Sequence, residues 1–159
     1  AVCLTATVIG AQADEGNRLG VGAHYWRVVD DIDLDSIDED GYSWMVSYQY
    51  WPSLLGLELD VEWFDRRYAG ADDDLYAPQA HLLVGGFIYG AVGIGGYYSD
   101  GHWGDDPFYA FRVGLNLELL PRFYVDLNAN YRFENWSGLS ASDIDEDTIT
   151  LGAAARIAF

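Results

Sequence analysis

The chain has 159 residues, with 26 acids against 8 bases, a formal charge of −18, and 50% hydrophobic and 16% aromatic side chains. All the bases are Arg and none cluster, so nothing offsets the repulsion of a phosphate backbone and nucleic acid is excluded as a partner. No run of eighteen apolar residues occurs, which excludes a transmembrane helix and leaves open crossing by alternating strands, whose hydrophobicity a window average hides.

Residues 1–13 are apolar and end in Ala11-Gln12-Ala13, a small-x-small cleavage pattern followed by Asp14-Glu15. They are expected to be the back half of a secretory signal, with a mature domain over 14–159; the competing reading is a short apolar strand. Cys3, the one cysteine, would leave with the signal, so the exported chain would form no disulfide.

From there the chain alternates with period two. The first expected strand, Arg18 to Val28, sets Leu19, Val21, Ala23 and Tyr25 against Gly20, Gly22 and His24. The second, Gly41 to Trp51, sets Tyr42, Trp44, Val46, Tyr48 and Tyr50 against Ser43, Met45, Ser47 and Gln49. After Pro52-Ser53 the third, Leu54 to Arg66, is the clearest: Leu55, Leu57, Leu59, Val61 and Trp63 alternate with Gly56, Glu58, Asp60 and Glu62. Three acids cannot share the surroundings of five large apolar residues. The fourth, Tyr76 to Val84, is weakened by Pro78. Gly85-Gly86 turns into the fifth, Phe87 to Tyr98. The sixth, Phe108 to Leu119, alternates Tyr109, Phe111, Val113, Leu115, Leu117 and Leu119 with Ala110, Arg112, Gly114, Asn116 and Glu118. Leu120-Pro121 leads to the seventh, Arg122 to Glu134, and the eighth runs from Asp147 to Phe159.

Connections alternate long and short, as in an up-and-down meander whose ends face two compartments. One set of faces is rich in Gly, Ala and Ser, and the other in Trp, Tyr, Phe and Leu. An eight-stranded barrel has room inside only for the first set, so the bulky set is expected to face outward, where lipid accepts it. Tryptophans near strand ends are expected in aromatic girdles at the lipid-water boundaries.

The signal-like start, eight alternating strands and a last strand with Leu151, Ala153, Ala155, Ile157 and terminal Phe159 resemble the small outer-membrane β-barrels of Gram-negative bacteria, of the kind formed by the transmembrane domain of outer membrane protein A and by outer membrane protein X. The resemblance implies an all-β, eight-stranded antiparallel up-and-down transmembrane barrel in the cell outer membrane. It also implies that those five residues are read by the outer-membrane assembly machinery. Some barrels of this size are lipid-modifying enzymes with a His and Ser set at one rim; the stretch before Ser137 and Ser140, Arg132-Phe-Glu-Asn-Trp, lacks that histidine, and the chain is expected to be no enzyme.

Inside, Arg18, Arg112, Arg132 and Arg156 face Glu58, Asp60, Glu62, Glu118 and Asp126. Buried charges are too costly to leave alone, so a paired ladder plugging the lumen is expected; a gated ion path, with pairs exchanging partners, is the alternative. Most other acids fall in the long connections. They form a solvated repulsive surface or a weak site for divalent cations, which could bridge to lipopolysaccharide phosphates. Asp31, Asp33, Asp35 and Asp38 are the candidate ligands, although Ser36 and Tyr42 stand where a calcium loop wants Gly and Glu. His24, His81 and His102 have no metal-ligand spacing, and no cofactor is implied. The expected state is a monomer among outer-membrane lipid and lipopolysaccharide.

Overall fold

The protein is described by a computed structural model covering residues 16–28, 40–64, 74–104, 106–133 and 148–159. The expected signal segment and Asp31, Asp33, Asp35 and Asp38 lie outside these residues, as do Ser137 and Ser140. In chain order the elements are β1 (Asn17–Val28), β2 (Asp40–Tyr50), β3 (Leu55–Phe64), β4 (Leu75–Gly85), β5 (Ile88–Gly95), β6 (Tyr98–Ser99), β7 (His102–Trp103), β8 (Phe108–Leu120), β9 (Phe123–Phe133) and β10 (Thr148–Ala158). The eight long strands pair antiparallel with their neighbours in sequence, and β1 pairs with β10 to close the barrel.

The registers fix the dimensions. Starting at Ala158 and stepping from partner to partner through Arg18, Gln49, Glu58, His81, Gly93, Ala110 and Arg132, the circuit returns to β10 at Thr148, a shear of ten residues. Eight strands with that shear tilt about 40° from the axis and enclose a radius of about 8 Å.

Alternation sorts the faces. Along β3 exposed and buried residues alternate without a break, Leu57, Leu59 and Val61 outward and Glu58, Asp60 and Glu62 inward. Leu115 and Leu151 are exposed on the wall, Val125 is half-buried there, and Asp126 is buried. Water would not leave such a wall apolar while charges fill the interior, so the wall faces lipid.

Pro78 lies within β4 after all. Its carbonyl accepts from the Gly96 amide at 3.1 Å, on the side where the ladder with β5 stops at Gln79 and Gly95. The missing N–H faces Gly96, between the end of the β5 ladder and the Tyr76–Tyr98 pair of β6, so the ladder is interrupted there and resumes in the same register beyond it. The fifth expected strand stops at Gly95. The chain then forms the short β6–β7 hairpin, whose turn, Asp100-Gly101, takes positive φ at both residues as a two-residue turn requires.

The lumen is less uniformly small than its Gly-rich faces suggest. Trp26, Phe64 and Phe108 pack with Ala77 at the end nearer the long connections, and Trp51, Leu83, Tyr89 and Ala91 pack at the short-turn end. Trp26 and Trp51 thus belong to the interior rather than to a lipid-facing girdle. Glycine makes the room: a Cβ at Gly41 would strike the Trp26 ring, one at Gly56 the Trp51 ring, and one at Gly114 the Tyr89 ring.

Candidate functional site: the charged lumen

Between the two apolar clusters lies a column of ionic and polar side chains, built because β3 turns its three acids inward in successive layers. Nearest the long connections, Glu62 pairs with Arg132 of β9, accepts from Ser43, and lies 2.9 Å from His24 Nδ1. The Arg132 guanidinium also sits 5.3 Å from the Phe64 ring centroid and 5.2 Å from that of Phe108, joining the ionic column to its apolar lid.

In the next layer Asp60 accepts from Gln79 Nε2 at 2.5 Å and stands 3.3 Å from His81 Nδ1 and 3.6 Å from Arg112 Nη2. Glu58 lies deeper, and its Oε1 is 3.0 Å from both Arg112 Nη1 and Arg156 Nη2, while Oε2 accepts from Gln49 at 2.6 Å. Asp126 completes the column, 3.2 Å from Arg156 Nη1 and accepting from Tyr89 at 3.0 Å and Asn128 at 2.7 Å. Asn130 links Arg112, Asn128 and Thr150.

The structure thus brings together Glu58, Asp60, Glu62, Arg112, Asp126, Arg132 and Arg156. Glu118 and Arg18 stand apart from the expected set. A bulge between Glu118 and Leu120 breaks the β8–β9 register, and Glu118 is exposed at the short turn, where it accepts weakly from the Arg122 amide at 3.4 Å. Arg18 is buried below the column, 3.9 Å from the Tyr124 ring centroid and 5.4 Å from that of Trp51, with the carboxylates of Glu118 and Asp126 as nearby opposite charges.

Sequence reasoning singled out the charges and passed over their neutral partners. Ser43, Gln49, Gln79, Tyr89, Asn128, Asn130 and Thr150 share the inward parity of the charged residues, and that parity was the available signal. His24 and His81 are interior ligands of carboxylates, whereas His102 is exposed in the hairpin. Among the described residues no group of three or more His, Cys, Asp or Glu is arranged to hold a metal ion. Leu151, Ala153, Ile157 and Phe159 are exposed on the lipid side and Ala155 is half-buried there.

No protein-family model matches the chain, and no curated protein is detectably similar in sequence. Among solved structures the chain is similar to Neisserial surface protein A, with a TM-score of 0.63 at 16% identity, covering 91% of this chain and 98% of that one. The chain has the fold of a small eight-stranded outer-membrane β-barrel. The attachment invasion locus protein Ail of Yersinia pestis superposes less closely, with a TM-score of 0.48 at 20% identity over 90% of this chain and 99% of that one. Its lipid-facing wall and this fold make the chain a transmembrane barrel of the outer-membrane type.

Proposed function

We propose that this barrel serves a structural or surface-interaction role, its lumen plugged by the charged column and its recognition carried by the acidic long connections. The observation that carries the reading is Glu58, fully buried and held at 3.0 Å by two guanidiniums from β8 and β10 at once. A carboxylate so placed ties three strands across the lumen and leaves no column of bulk water at that level. Aromatic clusters above and below support closure at both ends.

The plug is tested by conductance across planar bilayers holding the refolded protein. The expected result is a baseline indistinguishable from protein-free membrane, and stable ohmic steps would overturn it. The second reading, a narrow ion path, draws on the same geometry: Arg112 and Arg156 share one oxygen of Glu58, an arrangement in which partners can exchange. Brief, rare openings whose frequency changes in Arg156→Met would favour it.

A non-enzymatic role is supported by Ser43 and His24. Both address Glu62, and the hydroxyl donates to the carboxylate instead of to an imidazole that could take its proton. In the same reading the barrel is a cofactor-free monomer, contacts lipopolysaccharide, and is delivered by the assembly machinery through Leu151, Ala153, Ala155, Ile157 and Phe159. Weak divalent-cation binding at Asp31, Asp33, Asp35 and Asp38 belongs here too, because hard cations take carboxylate oxygens. Calorimetry with calcium and magnesium on folded protein should give a weak heat that disappears when the four become Asn; no heat in the parent protein would leave the acids as a solvated face.

A further inference from the structure

The short-turn end of the barrel is edged by large apolar side chains that neither the lumen nor the sheet covers. Leu54 in the first turn is 71% exposed, Phe87 in the second 60%, Leu120 beside the third 64%, and Phe159 at the end of the last strand 57%. Each continues a column of the lipid-facing wall: Leu54 beside Leu55 and Leu57, Phe87 beside Ile88, Leu120 beside Leu119, and Phe159 after Ile157. The described turn residues interrupting this rim are mostly uncharged: Pro52, Ser53, Gly85, Gly86 and Pro121. Among the described residues its charges are Glu118 and Arg122, and the Glu118 carboxylate accepts from the Arg122 amide.

Length points the same way. The outward run from Ile149 to Phe159 rises roughly 25 Å at the strand tilt derived above, the full height of the apolar band of such barrels. Near the other end outward aromatics, Trp63 stacked on Tyr76 and Tyr25 against Tyr42, mark a lipid-water boundary. A band of that height measured down from this boundary ends at the turns themselves, and among the described residues no polar collar lies below it.

We infer that the short turns are embedded in the adjacent leaflet, so that Leu54, Phe87 and Leu120 lie among phospholipid glycerol and upper acyl groups instead of in water. The occupant of this rim is phospholipid, because the rim is continuous with the wall that lipid already covers. The inference rests on the lipid-facing wall and is independent of whether the lumen conducts.

The test uses the full chain with Cys3→Ser and single replacements Leu54→Cys, Phe87→Cys and Leu120→Cys, each labelled with an environment-sensitive fluorophore. Leu59→Cys on the mid-wall and Asp106→Cys beside the third long connection serve as references. The proteins are refolded into phosphatidylethanolamine–phosphatidylglycerol vesicles at fewer than one barrel per vesicle, and folding is verified by circular dichroism. The rim labels should resist aqueous iodide like the Leu59 label, be quenched by lipids carrying a nitroxide near the headgroup, and emit to the blue of the Asp106 label. Iodide quenching equal to that at Asp106 would overturn the inference and leave the rim for a protein partner. Shielding that appears only at high protein density would overturn it in favour of a second copy. If the Leu59 label is itself open to iodide, the lipid-facing wall fails, and the inference falls with it.

Discussion

Glu58 concentrates the energetics of the lumen in one side chain. Replacing it with Gln would leave Arg112 with only the 3.6 Å contact to Asp60 and Arg156 with only Asp126 as acidic partners. Removing one member of a buried ionic set costs about 3–5 kcal/mol, so Glu58→Gln should lower the urea midpoint in vesicles by that equivalent. Glu118→Gln, at an exposed turn, should stay within about 0.5 kcal/mol of the parent. Equal effects would mean the two acids share an environment. Gly114 gives a second test at this scale, because its Cβ position is filled by the Tyr89 ring. Gly114→Ala should cost about 1–3 kcal/mol by overpacking, and in the Tyr89→Ala background the cost should largely vanish. Simple additivity would place the ring elsewhere. The sequence identified which residues face inward, since parity is a local property. It did not identify that Trp26 and Trp51 fill the lumen, because each is accommodated by a glycine on the adjacent strand, a relation set by register.

At the scale of the strand, β3 was readable almost to the residue, since its acids and large apolar residues cannot exchange faces. β4 was the hardest because Pro78 argues against a strand until the end of β5 is known to lie beside it. At the end of β8, Glu118 keeps its register with Tyr124 and is exposed because it stands at the rim beside the bulge, a position that the alternation of the sequence does not mark. The wall side of β3 supplies a prediction. Leu59 lies midway between the short turn and the Trp63–Tyr76 pair and pairs in register with Tyr48 and Ala80. Leu59→Arg should destabilise the barrel in vesicles by about 2–4 kcal/mol, as a cation near the bilayer midplane does. An effect near zero would place that part of β3 in water.

For the whole molecule, closure and shear decide which residues meet. Arg156 of β10 reaches Glu58 of β3 across the lumen, ninety-eight positions away in sequence, and no local pattern encodes that pairing. What was readable at this scale was the alternation of long and short connections, which implies an up-and-down meander, and the size contrast between faces, which implies the orientation of the wall. The bilayer is the solvent for the outer wall. Polarised infrared dichroism checks this, with the urea-unfolded chain diluted once into oriented phospholipid bilayers and once into lipid-free buffer. The expected result is antiparallel β-structure only with lipid, with strands tilted about 40° from a barrel axis along the membrane normal. The same β-structure in lipid-free buffer, or strands lying flat on the membrane, would contradict it.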